Sequence, residues 1–317
     1  MKPRLDMKPL LVFFLSVALL LSLTLFCSLA LAELTPDLCS KTSQDALTSC
    51  AAAVQSNFWL AVAICDNLPT LERRIACNNR AIKTQLSETR LCNDQFNARQ
   101  NVCRALGRDA YNPIINPANF VTTIDNPFFP LTPGTTFIYE GTTEDGFEHD
   151  EVFVTHNTKV ILGVTCVEVR DTVTVDGALA EQTLDWYAQD KAGNVWYFGE
   201  NSLEYADGLV VGLGGSWTAG VDGAKPGIIM KAHPKVGDEY RQEFSIGNAE
   251  DMAKVMSLAQ SVSVPYGNFT NCLMTKEFSP LEPGTVERKF YAPGVGSVKE
   301  VDIETGDHLD LISVSTE

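Results

Sequence analysis

The chain has 317 residues, of which 45% are hydrophobic, 20% charged and 9% aromatic. That balance excludes collagen, a wholly disordered chain and a polytopic membrane protein. Lys and Arg total 24 against 40 Asp and Glu, a formal charge of −16. A chain this acidic lacks the cationic face that a phosphate backbone requires, so nucleic acid is not expected as a partner.

Lys2, Arg4 and Lys8 precede an uncharged apolar run from Leu10 to Ala32, and Ala30-Leu31-Ala32 supplies small residues before Glu33. A basic start, an apolar centre and an A-x-A end predict a secretory signal over 1–32, and with it an exported protein, periplasmic or extracellular. The run is also long enough to cross a bilayer, so an uncleaved anchor is the rival reading. With cleavage no membrane span is expected, and Cys27, preceded by a bulky Phe26 that suits lipid attachment poorly, leaves with the signal. The charge then splits unevenly. Residues 33–109 hold 9 basic and 8 acidic residues; residues 110–317 hold 12 and 31. Two modules of different electrostatics follow.

Six cysteines fall in the first module: Cys39, Cys50, Cys65, Cys77, Cys92 and Cys103. Their spacing is a mirror image about residue 71. Two antiparallel helices folded there would set Cys39 against Cys103, Cys50 against Cys92 and Cys65 against Cys77. Steps of this size are close to whole helical turns, so the cysteines keep to one stripe. Residues 43–65 and 71–106 contain neither Gly nor Pro. Asn67 can stop the first helix, Thr70 can cap the second and Gly107 can end it. The prediction over 33–108 is a disulfide-laced helical hairpin, stapled because so thin a unit has little core of its own. It serves either as a docking arm for a protein partner or as a cap packed on the second module. No C-x2-C pair, clustered His or C-x-x-C-H run supports a metal or a haem, and no cofactor is expected.

Residues 109–133 carry Pro113, Pro117, Pro127, Pro130 and Pro133, which predicts an extended connector laid on a surface. From 134 to 317 the pattern changes to short runs of β-branched and aromatic residues with Gly, Asn, Asp and Pro between them. Strands are expected at Thr135–Gly141, Glu151–His156, Lys159–Leu162, Cys166–Val175, Leu179–Gln189 and Val195–Gly199. Further strands are expected at Ile228–Lys231, Glu239–Ile246, Val255–Val264, Phe269–Lys276, Val286–Tyr291, Ser297–Ile303 and His308–Val314. Hairpin turns are expected at Asp176-Gly177, Asp190–Asn194 and Gly306-Asp307. Only Asp251 to about Leu258 could be helical instead. The fold class is therefore α+β: the helical hairpin, then an antiparallel β half-barrel or sandwich. Cys166 and Cys272 are expected to pair as a clasp between distant strands, the alternative being two buried thiols.

The segments NPFFPLTPGTTFIYEG, DWYAQDKAGNVWYFGE, GSWTAGVDGAKPGI and YAPGVGSVKE resemble a group of exported bacterial β-rich proteins of unassigned function, over roughly residues 111–304. The closing YAPGVGSVKEVDI is also similar to the last strands of periplasmic half-barrel lipoproteins that shield apolar cargo. The resemblance implies an extracytoplasmic β-rich domain; it implies no activity and does not extend to the hairpin.

Motifs for chemistry are sparse. Gly214-Gly215-Ser216-Trp217 lacks the last glycine of a nucleophile elbow, and no phosphate loop follows Gly212–Gly215. His149, His156, His233 and His308 show no metal-ligand spacing. Glu144, Asp145, Glu148, Asp150 and Glu151 read as a solvated acidic loop, with a calcium site as the alternative; they lack the ligand order of an EF-hand. Asp185 and Glu200 should lie near each other at the open end of a hairpin, where two carboxylates could act on a glycoside. Trp186, Tyr187, Trp196, Tyr197 and Trp217 crowd within 32 residues. Strand alternation sends Trp186 and Tyr187 to opposite faces, and likewise Trp196 and Tyr197. One face builds a core; the other needs cover from a second sheet, the hairpin or an apolar ligand. The expected function is non-catalytic binding of an apolar or amphipathic small molecule at these five aromatics. A carbohydrate hydrolase built on Asp185 and Glu200, and a structural envelope protein without a ligand, are the alternatives.

Overall fold

The computed structural model describes residues 37–317. The signal predicted over 1–32, with Cys27, lies outside the described residues. Two helices come first, α1 (Leu38–Asp66) and α2 (Leu71–Leu106). Asp37 caps α1, its Oδ1 accepting from the Ser40 amide at 2.8 Å. Thr70 caps α2 through the Arg73 amide, and Gly107, at φ 109°, closes it by donating to the Cys103 carbonyl. The disulfides are Cys39–Cys103, Cys50–Cys92 and Cys65–Cys77, the ladder that the mirror spacing predicts. Few side chains are buried between the helices, chiefly Val54, Cys65, Ala81 and Cys92, so covalent staples do what an apolar core cannot.

Sixteen strands follow among the described residues. They are β1 (Phe120–Val121), β2 (Thr135–Thr143), β3 (Gly146–Ile161), β4 (Val164–Val175), β5 (Ala178–Asp190), β6 (Val195–Ala206), β7 (Leu209–Gly212) and β8 (Trp217–Thr218). Then come β9 (Lys225–Met230), β10 (Glu239–Arg241), β11 (Glu243–Phe244), β12 (Met252–Val264), β13 (Gly267–Phe278), β14 (Glu287–Ala292), β15 (Gly296–Asp302) and β16 (His308–Thr316). All pairings are antiparallel, and the main order is β10-β12-β13-β14-β15-β16-β2-β3-β4-β5-β6-β9-β11. β9 touches β10, so the sheet curls into a nearly closed barrel. The two expected strands before and after Asn157 are one strand, β3, with a register shift between Val154 and Thr158. The stretch left open to helix belongs to β12, where Lys254 points outward to Glu239 at 2.9 Å. Asp176 and Gly177, at φ 50° and 81°, form the tight turn expected of this pair.

Residues 109–133 do more than connect. β1 pairs with β5, and Phe120 meets Trp196 and Phe198 edge-on, at 6.4 and 5.6 Å. This segment is part of the cover that the outer aromatic face requires. Asn126, 2% exposed, donates to the carbonyls of Gly193 and Lys231. That anchor feeds Phe129 and Leu131 into the barrel core.

The expected Cys166–Cys272 clasp does not form; both are free buried thiols. Cys166 lies opposite Lys159 and packs with Ile161, Val164 and Trp186. Cys272 lies opposite Gln260 and belongs to the separate cluster of Leu273, Tyr291 and Leu311. Five strands stand between β4 and β13 in the sheet, a separation that a bond needing Cα atoms within about 7 Å cannot bridge.

The hairpin sits on the barrel through Arg99 and Glu250, 6% and 1% exposed, and through Gln95, which donates to the Leu281 carbonyl at 2.8 Å. Its far end is bare: Trp59, Leu60, Ile64, Leu71 and Ile75 are all exposed. By length and composition α1 could cross a membrane. It is, however, bound by three disulfides to α2, whose Arg73, Arg74, Arg80 and Lys83 oppose entry into hydrocarbon.

Candidate functional site

The barrel forms a partly open chamber of about 220 Å³. Its wall mixes the apolar side chains of Phe129, Leu131, Phe137, Val152, Val169 and Ile229 with the charged ones of Asp150, Asp171, Asp185, Glu277, Lys289 and Glu300. Period-two alternation explains the mixture. The cross-strand pairs Tyr139–Asp150, Val152–Asp171 and Val169–Asp185 set apolar and acidic side chains side by side on the inner face. Phe129, delivered by the connector, lies edge-on to Tyr187 at 5.4 Å and closes part of the wall.

Lys289 is the one cation lining the chamber. Its Nζ lies 3.0 Å from Glu300, 3.5 Å from Glu287 and 3.8 Å from Glu277. Burial opposes its charge, but these three carboxylates prevail and hold its pKa well above the ordinary lysine range. The acids of β3, β4 and β5 form no ion pair with Lys289, although its charge works to lower Asp171, and Asp150 and Asp171 hydrogen-bond each other. Burial, with Asp171 beside it, raises the pKa of Asp150. Burial also raises Asp171, with Glu181 adding to it. Asp185 is held well above its usual value by burial and by Asp171. Oδ1 on each of Asp150 and Asp171 is buried with no hydrogen-bond partner outside that pair.

Asp185 and Glu200 are directly paired across β5 and β6, as the hairpin reading expects. The Tyr197 hydroxyl lies between them, 2.5 Å from Asp185 Oδ1 and 2.9 Å from Glu200 Oε2. A hydroxyl has one proton to donate, so the two carboxyls share it. Burial pushes Glu200 up to about 7. Tyr197 itself stacks on Tyr187, with ring centres 4.7 Å apart. A second recess of about 420 Å³ is lined by Glu200, Glu243, Asp251 and Glu287, and shares Glu277 and Lys289 with the chamber.

The five predicted aromatics are divided. Tyr187 lines the chamber, and Tyr197 supports it from behind. Trp186 and Trp217 line an open outer groove; their ring N–H groups donate to Glu168 and Glu243. Trp196 donates to Asp190 and packs under Phe120. The acidic run at 144–151 is not one solvated loop. Glu148 and Asp150 sit on β3, with Asp150 in the chamber wall, while Glu151 meets Arg170 at 3.2 Å. Among the described residues no group of three or more His, Cys, Asp or Glu side chains is placed to hold a metal.

Asp150, Asp171, Glu277, Lys289 and Glu300 were not singled out from the sequence as a set. Their signal was present as charged residues placed two apart from aromatic or apolar ones on the same strand face, such as Lys289-x-Tyr291 and Val169-x-Asp171. A strand with both faces covered needs such charges to point into an enclosed space or at each other.

No protein-family model matches the chain, and no curated protein matches it. Two solved structures do. One is a candidate exported protein of YmcC-like fold from Bacteroides fragilis, 15% identical, with a TM-score of 0.37 over 60% of this chain and 99% of that one. The other is a candidate lipoprotein from Parabacteroides distasonis, 14% identical, with a TM-score of 0.34 over 59% of this chain and 98% of that one.

Proposed function

We propose that this is an exported, non-catalytic binding protein whose barrel lumen holds a small amphipathic molecule. The observation that carries the reading is the chamber itself: apolar side chains interleaved with carboxyls, of which Asp150 and Asp171 each keep a buried oxygen with no partner outside their own pair. Ligand sites have this composition, a mostly apolar surface with a few convergent polar groups. Three disulfides suit an oxidising compartment. The hydrolase alternative is disfavoured by Tyr197, which fills the space between Asp185 and Glu200 where a glycosidic oxygen would have to sit. The bare end of the hairpin, with Trp59 and Leu60 outward, favours a docking arm for a protein partner over a simple cap.

Native mass spectrometry of protein purified from its own compartment tests the lumen reading. A small amphipathic mass should accompany the wild-type chain and be absent from a Val169→Trp variant, whose side chain fills the chamber. A wild-type chain that is always empty, and that takes up nothing from a total lipid extract, would refute it.

A further inference from the structure

The chamber's charges are not balanced. Five carboxyls line it, Asp150, Asp171, Asp185, Glu277 and Glu300, against Lys289 alone. Lys289 is already committed to the Glu277, Glu287 and Glu300 side. That leaves the arc of β3, β4 and β5 with three aspartates and, among the described residues, no ion-paired cation; Lys289 acts on Asp171 through its longer-range charge alone. Asp185, 7% exposed, accepts from Tyr197 with Oδ1 and has no partner for Oδ2 among the described residues. Asp150 and Asp171 hydrogen-bond each other, and each keeps a buried oxygen with no partner outside that pair. The basic side chain nearest in sequence, Arg170, turns outward to Glu151. The donors within the arc are the Tyr197 hydroxyl and the proton shared by Asp150 and Asp171, and the apolar surface of Phe137, Val152 and Val169 adjoins them.

Resting on the lumen reading above, we propose that the ligand is a cationic amphiphile, a primary amine or a similar donor-rich head on a short apolar body, seated against Asp150, Asp171 and Asp185. An ammonium brings three donors and a positive charge to a group of carboxyls that has few donors and no ion-paired cation. A carboxylate head would add acceptors and like charge to the same arc, and an alcohol has a single donor. Discrimination therefore comes from the aspartate arc, and general affinity from the apolar side chains beside it.

The test uses the whole exported chain and three probes of one length: octylamine, octanol and octanoate, titrated calorimetrically at neutral pH. Octylamine should bind about tenfold or more tightly than octanol, as hydrogen bonds to charged groups warrant, and octanoate weakest. The Asp150→Asn, Asp171→Asn double variant should lose that advantage, with octylamine binding no more tightly than octanol. An unchanged far-UV circular dichroism spectrum and a cooperative thermal transition report an intact barrel. Octanol or octanoate binding as well as octylamine would overturn the cationic assignment and leave the lumen reading standing. So would a double variant that keeps its preference for octylamine. Binding of none of the three would overturn both.

Discussion

Arg99 of α2 and Glu250 of the barrel form a two-pronged ion pair, Nε to Oε2 and Nη2 to Oε1 both at 2.8 Å, almost wholly out of water. Glu250 Oε1 also accepts from the Gly247 amide. This pair fixes where the disulfide-laced arm leaves the barrel. Removing one partner leaves a buried charge alone, so Arg99→Ala or Glu250→Ala should cost about 3–5 kcal/mol. Arg99→Met with Glu250→Leu should cost much less than either, because no orphan charge remains. Urea denaturation of the single and double variants checks this, and equal losses in all three would contradict it.

Cysteine chemistry gives a second expectation. Non-reducing peptide mapping should recover Cys39 with Cys103, Cys50 with Cys92 and Cys65 with Cys77, and show Cys166 and Cys272 alkylated only after unfolding. Both thiols are buried, and burial pushes Cys166 up to about 12, so neither ionises in the folded chain at neutral pH. Replacing Cys50 and Cys92 by Ser opens a loop of 42 residues and should cost about 4 kcal/mol by loop-closure entropy. Recovery of Cys166 joined to Cys272 would count against the arrangement described.

Acid should stabilise this protein over part of its range. Glu200 has its folded pKa raised from 4.5 to about 7, and Asp150, Asp171, Asp185 and Glu243 shift the same way, all chiefly through burial. The native state then holds more protons than the unfolded chain between about pH 4.5 and 7, so stability falls as pH rises through that window. Thermal midpoints should be higher at pH 5 than at pH 8, and Glu200→Gln should narrow the difference. A flat or opposite profile would show that these carboxyls are solvated in solution.

Lys289 is the counterion of the inner acids. Lys289→Met removes the positive charge facing Glu277, Glu287 and Glu300 and should destabilise the barrel by about 3–5 kcal/mol, the loss growing as pH rises and Glu287, whose pKa is raised, ionises. Stability measured at pH 5 and pH 8 separates this from lost packing, which pH would not affect.

The helical hairpin was legible because everything that specifies it is local. The cysteine spacing maps onto helical turns, Asn67 and Thr70 mark the bend, and two antiparallel rods have one natural register. The strands of the barrel were legible for a similar reason: alternation and turn residues such as Asp176-Gly177 act over a few positions. The pairing of Asp185 with Glu200 also follows from one hairpin. Tertiary structure alone decided the rest. Cys166 and Cys272 were paired on parity, but sheet order is a long-range property and put them in separate clusters. Asp150 and Lys289 lie 139 positions apart and line one chamber only because the sheet curls, with β15, β16 and β2 between their strands. Cover for the aromatic face came from Phe120, a residue of the connector, because closure left that face outside the barrel. Local geometry can be read from spacing; what a closed sheet encloses depends on which distant strands it brings together, and no short-range pattern records that.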